Sequence, residues 1–216
     1  MISRAVWLYF RFTLSLRDVE EILARDGILV TYETVRKWTR KFGQAYAQRL
    51  RAKRPAPSPR WHLDEIQIRI AAKKHYVWRA VDDEGEVLDC VVSRRRTMPI
   101  AMELMQKLLA NQPVKPERIV TDQYKCYEAP MYFLGLRGVH IAGSRHENNR
   151  AENSHLPIRL RERKMQGFKS VASTQAFLDS HAPIYNTFNV QPHIASRTAL
   201  RELRARAFAA WDAVVA

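Results

Sequence analysis

Long apolar runs are missing from this chain: no uninterrupted stretch of about 18 apolar residues is present to span a bilayer, which excludes a helical membrane span and leaves no membrane partner. Cysteine is scarce. Cys90 and Cys126 are the only two and lack CxxC spacing, which excludes a disulfide framework and a zinc site and leaves two buried thiols as the expectation. A secretory leader is not visible either, because the Val6–Phe10 run is short, lies between Arg4 and Arg11 and has no small-residue cleavage site behind it. The chain is therefore expected to stay in the cytoplasm. Repeats and low-complexity segments are absent. Acidic residues are the minority, 22 against 36 Lys and Arg, giving a net charge of +14 on a composition that is 46% hydrophobic. A globular, strongly basic protein points to a polyanionic partner, and nucleic acid fits best.

The first 48 residues read as a helical module. Ser15 precedes Leu16, Val19, Ile22 and Leu23 at helical spacing, with Asp18 as its capping-box partner. Asp26-Gly27 stops that helix, and Thr31 caps the next, in which Val35, Trp38 and Phe42 face inward. Arg36, Lys37, Arg40 and Lys41 stay outside. Two short helices, a glycine turn and a basic outer face predict a helix-turn-helix that binds double-stranded DNA, with residues 1–14 supplying a covering helix. Residues 49–60 turn basic and carry Pro55, Pro57 and Pro59, which predicts an extended linker suited to lie along phosphates.

Beyond the linker the period becomes that of strands. Strands are expected at Trp61–Ile70, His75–Val81 and Glu86–Ser93, then a helix from Thr97 to Leu109, a strand from Glu117 to Thr121, helix from Tyr124 to Leu136 broken at Pro130, and a strand from Gly138 to Ala142. Helices follow after Asn149, from Ser173 to Phe188 and from Thr198 to Val214. The fold class is α+β: the helix-turn-helix, then a ribonuclease-H-like, retroviral-integrase-type mixed five-stranded sheet over residues 61–170, then a helical C-terminal extension over 171–216. In that order of elements Asp64 lies in the first strand, Asp122 just after the fourth and Glu152 near the start of the helix after the fifth. Three converging carboxylates repel one another unless they share hard cations, so Asp64, Asp122 and Glu152 are the expected catalytic residues and ligands of two Mg²⁺ ions, with Mn²⁺ able to substitute.

The stretch His146-Glu147-Asn148-Asn149-Arg150-Ala151-Glu152-Asn153-Ser154-His155 has no apolar stripe. With Asn149 as cap, Glu152, His155 and Arg159 share one helix face, placing a metal ligand beside a phosphate ligand. Pro157 is expected to kink that helix. His146 and His155 read as proton carriers or phosphate contacts. Lys164 and Lys169 read as nucleic-acid backbone contacts or a solvated face. Glu65 should point to the face opposite Asp64, Asp82 and Asp83 should sit in the hairpin turn, Asp89 should meet solvent at a strand end, and Trp61 and Trp78 should be core.

These motifs, Trp61-His62-Leu63-Asp64-Glu65, Tyr76–Asp82, Val120-Thr121-Asp122 and above all Asn148–His155, resemble those of the DDE transposases of the IS6 (IS26-like) insertion-sequence family. The resemblance runs from about Ala5 to the C-terminus. It implies Asp64, Asp122 and Glu152 as the carboxylate triad, Arg159 as the basic residue seven positions on, and strand cleavage and transfer at terminal inverted repeats by a homodimer or larger assembly on bacterial, nucleoid-associated DNA. Family members begin somewhat upstream of Val6-Trp7, so Met1 is a candidate internal start. A truncated, non-catalytic repressor that binds the same element is the competing reading, and a structure-selective nuclease shares the metal chemistry without needing specific ends.

Overall fold

The helical periodicity of the first 50 residues becomes three helices in the computed structural model, which describes residues 1–143, 147–190 and 196–216. They are α1 (Ile2–Arg11), α2 (Leu16–Arg25) and α3 (Tyr32–Lys53). The capping box of α2 is complete: Asp18 N donates to the Ser15 hydroxyl at 3.1 Å and Ser15 N donates to the Asp18 carboxylate at 2.8 Å, an arrangement worth about 1 kcal/mol. Gly27, at φ +77°, supplies the left-handed turn behind it. Thr34 N then donates to the Thr31 hydroxyl and opens α3. Val19, Leu23 and Val35 are fully buried with Ala5 and Val6 of α1. α1 and α3 approach so closely that a Cβ at Gly43 would meet the Phe10 ring at 2.6 Å.

α3 runs past the expected start of the linker. Arg49 to Lys53 form its last turns, and they are not left free for phosphates. Arg49 donates to Val214 O at 2.6 Å and Lys53 to Ala213 O at 3.0 Å, both at the end of α9 (Arg197–Val215), while Arg51 donates to Asp179 O in α8 (Val171–Phe188). Unpaired carbonyls at a helix C-terminus draw cations, which accounts for Arg49 and Lys53, and Pro183 inside α8 has no N–H to give Asp179 O, which leaves it for Arg51. The chain accordingly divides into residues 1–54 with 176–216, and residues 55–175. What was expected as a C-terminal extension is thus largely part of the first unit. The cause is apolar: Ile184, Phe188, Trp211 and Val214 are buried in one cluster with α1 and α3, and Trp211 meets Tyr46 edge-on at 5.4 Å.

The second unit is built on β1 (Arg60–Ile70), β2 (Lys73–Asp82), β3 (Val87–Ser93), β4 (Arg118–Thr121) and β5 (His140–Ala142), in the order β3-β2-β1-β4-β5. The first three strands are antiparallel, whereas β4 runs parallel to both β1 and β5. This is the ribonuclease-H-like mixed sheet. Alternation along β1 and β2 puts Trp61, Leu63, Trp78 and Ala80 into one core with Leu104, Met105 and Leu108 of α4 (Met98–Asn111), all fully buried. Asp82 accepts from Glu84 N and Glu86 N and so closes the β2–β3 hairpin. Asp89 does not meet solvent: it is buried between β3 and α4, paired with Lys107 at 2.7 Å and Asn111 at 3.0 Å. A carboxylate removed from water needs such partners.

Between β4 and β5 the expected long helix is a 3-10 turn (Lys125–Tyr127) followed by the short α5 (Glu128–Phe133). Pro130 lies in the first turn of α5, where its missing N–H costs nothing. After β5 come α6 (Asn149–Asn153) and α7 (His155–Lys164), two helices where one was expected. Pro157 has no N–H to donate back along α6, so the helix restarts at Ser154 with the proline in its first turn. Asn148, not Asn149, precedes α6, and its side chain makes no cap bond. Instead its buried amide donates to Leu63 O at 2.9 Å, tying α6 to β1 one residue before Asp64. Among the described residues no helix is long and apolar enough to cross a membrane.

Candidate active site

Strand register explains how carboxylates from three elements meet. The last β1–β4 pair is Leu63 with Thr121. Beyond it β4 stops, β1 continues, and the sheet opens beside Asp64 just where Asp122 follows. The Asp64 carboxylate accepts from Glu65 N at 2.8 Å, and that of Asp122 accepts from Tyr124 N at 3.1 Å, so both are oriented by local backbone. Glu152 arrives from α6 with its side chain 56% exposed. Two ligand-like groups result, each with donor atoms within 4.8 Å of one another: Asp64, Glu152 and His155, and Asp64, Glu65 and Asp122. Asp64 belongs to both.

The electrostatics record that crowding. Burial, then repulsion from Asp122 and Glu152, pushes the Asp64 carboxyl up from 3.8 to about 7. A half-buried cluster of hard oxygen donors that repel one another fits a hard divalent cation, which neutralises what protein dipoles do not. His155 is buried, with its Nδ1 3.5 Å from the Glu152 carboxylate. Burial first, then the guanidinium groups of Arg79 and Arg159, lower its pKa to about 3, so the ring is neutral at physiological pH. Arg159 is exposed on α7 and near enough to act on His155 despite the break at Ser154. His146 lies outside the described residues.

Glu65 holds to the expected alternation yet still reaches the site. Its strand partner is Trp78, and its carboxylate accepts from the Tyr127 hydroxyl at 3.1 Å on the α5 side of the sheet. Its side chain is 1% exposed and ion-paired with Arg96. Arg96 also lies 4.0 Å from Asp122 and stacks over the Tyr124 ring at 4.0 Å. Sequence reading overlooked Arg96 and Tyr127, and placed Asn148 in its motif without its contact to β1. Arg96 ends an ordinary-looking Arg94-Arg95-Arg96 run, and the buried contacts of Tyr127 and Asn148 are visible only in three dimensions. Asp83, as expected of a turn residue, stays apart from the site and pairs with His62 at 2.9 Å and Arg60 at 3.4 Å.

The basic residues expected to read DNA belong to the first unit. Lys37, Arg40 and Lys41 are exposed on α3. Arg36 is half-buried, paired with Glu33 at 3.0 Å and stacked over Tyr32 at 5.6 Å. Lys164 and Lys169 are exposed, and Lys169 donates to Gln166 O.

A ribonuclease-H-like sheet with carboxylates gathered where its central strands part defines the class of this domain. Residues 58–191 match the family described as a DDE domain. The chain is 30% identical over 178 residues to the transposase for insertion sequence-like element IS431mec of Staphylococcus aureus, covering 81% of this chain and 79% of the relative, and the same figures hold for the transposase for insertion sequence element IS257 in transposon Tn4003 of that organism. The catalytic core domain of BIV integrase overlays 69% of this chain and 98% of its own at 16% identity, with a TM-score of 0.45. The chain belongs to the IS6 (IS26-like) family of DDE transposases.

Proposed function

We propose that this chain cleaves DNA strands at the terminal inverted repeats of an insertion sequence and transfers them to target DNA by divalent-metal-assisted phosphoryl transfer. The observation that carries the reading is the approach of Asp122, after β4, and Glu152, on α6, to Asp64 of β1, which belongs to both ligand-like groups and whose pKa is raised to about 7 by burial and then by repulsion from those two carboxylates. In this reading Asp64, Asp122 and Glu152 would hold two Mg²⁺ ions, for which Mn²⁺ could substitute. When bound, such ions activate the attacking oxygen and stabilise the leaving oxygen of a phosphodiester.

The chain's own residues do the rest. Arg159 offers a planar, bidentate donor to a DNA phosphate. His155, neutral and buried, orients Glu152 from 3.5 Å. α2 and α3 act as a helix-turn-helix, with Arg36, Lys37, Arg40 and Lys41 toward double-stranded DNA. Pairing two element ends calls for a homodimer or larger assembly on DNA.

The test is strand cleavage and joining on labelled DNA carrying the element's ends, run with Mg²⁺, Mn²⁺, Ca²⁺ and no metal. Cleavage with Mg²⁺ or Mn²⁺ alone is expected. A folded protein that binds the ends and cuts nothing with any metal refutes the catalytic reading in favour of a repressor. Cutting without regard to the end sequence favours a nuclease.

A further inference from the structure

Glu65 and Arg96 are not needed for the carboxylate triad, yet both are built into it. Glu65 is almost completely removed from solvent, held by the Tyr127 hydroxyl at 3.1 Å and by Arg96. Arg96 is fixed three ways: by Glu65, by its stack on Tyr124 at 4.0 Å, and by the Tyr124 hydroxyl, which donates to Arg96 O at 3.2 Å. From that position its guanidinium stands 4.0 Å from the Asp122 carboxylate. A buried carboxylate beside a repelling cluster is costly unless a cation stays with it. A cation so held stays beside Asp122.

We propose that Glu65 and Arg96 form a positioning pair that sets the net charge of the carboxylate site: Glu65 anchors Arg96, and Arg96 serves as a built-in counter-charge beside Asp122 that limits how tightly a divalent cation binds. This rests on the metal-binding reading of the triad. Glu65 is then an anchor and not a ligand, although its oxygen lies in the same group as those of Asp64 and Asp122. Neutralising Arg96 adds one net negative charge to the site, neutralising Glu65 removes one, and neutralising both leaves the net charge unchanged. A unit charge about 5 Å from a divalent ion changes its affinity by tenfold or more even at an effective dielectric of about 20.

The experiment is calorimetric titration of Mn²⁺ into the full chain without DNA, alongside thermal melting in chelator. Arg96→Gln is expected to tighten Mn²⁺ binding by tenfold or more while lowering the metal-free melting temperature. Those opposite movements separate positioning from a merely structural role, which would lower both. Glu65→Gln should weaken binding by a similar factor, and the double variant should return to within about threefold of wild type, as should Arg96→Lys. If Arg96→Gln alone does not fold, Glu65→Gln against the double variant carries the same comparison. Failure of the double variant to recover makes Glu65 a direct ligand and overturns the proposal, as does a shift of both single variants in one direction. Wild-type protein that binds no Mn²⁺ overturns the triad reading along with it.

Discussion

The two units use their charged residues in opposite ways. On α3 the cations of Lys37, Arg40 and Lys41 stand in solvent, where each is screened and changes little about the fold. In the second unit, Asp64 and Glu65 of β1 and Arg96, between β3 and α4, are half-buried or buried and act on one another directly. The lesson is that a run of charge does not tell its own fate: Lys37, Arg40 and Lys41 stay outside, whereas Arg49 and Lys53 farther along α3, and Arg96 at the end of Arg94-Arg95-Arg96, are held by partners within the protein. A solvated cation stays available to a partner; a buried one is committed to its own protein.

The sharpest way to break the contrast is at the triad. Asp122→Asn and Glu152→Gln each remove one charge at nearly constant volume, so folding and DNA binding should survive while strand cleavage falls on the order of a thousandfold or more. Loss of DNA binding in step with cleavage would place these residues in the fold instead. Next in size, the triple change Arg36→Ala, Lys37→Ala and Arg40→Ala should leave the melting temperature nearly unchanged and weaken binding to element ends, with the salt slope falling by roughly one per lost phosphate contact and about 1–3 kcal/mol lost for a base-reading arginine. Mobility shifts on end and scrambled DNA measure it, and undiminished discrimination removes α3 from recognition.

Arg159→Ala should reduce cleavage by about tenfold or more with Mn²⁺ affinity retained, and Arg159→Lys should recover part of the loss. Calorimetry that shows metal affinity lost with the arginine would make Arg159 a structural partner of His155. The smallest effect is on stability. Because the folded state raises the Asp64 pKa from 3.8 to about 7, it holds a proton that the unfolded chain releases, so ionisation of Asp64 opposes folding. Metal-free stability should therefore fall as pH rises from about 4 to about 7 and level off above, and Asp64→Asn should flatten that decline. A melting temperature that rises through the window in chelator contradicts the crowding on which the site is built.

Much of this molecule is legible along the chain because local chemistry decides it. Ser15 with Asp18, Thr31 and Gly27 mark the helix boundaries wherever they stand, and alternation in β1 and β2 makes core of Trp61, Leu63, Trp78 and Ala80. Asp64, Asp122 and Glu152 could be proposed from sequence because periodicity places them in the first strand, just after the fourth and near the start of the helix after the fifth, each inside a motif of distinctive composition. Tertiary structure alone decided the rest. Arg49 and Lys53 left the linker because the carbonyls ending α9 lay within reach, and residues 176–216 joined the first unit because Trp211 and Phe188 found their apolar partners there. Glu65 and Arg96 became part of the site because β4 stops at Thr121 and opens the sheet beside Asp64. Hydrogen bonding and side-chain alternation act between near neighbours and can be read from order; burial and ion pairing depend on which distant residues share a space, and only the packed chain settles that.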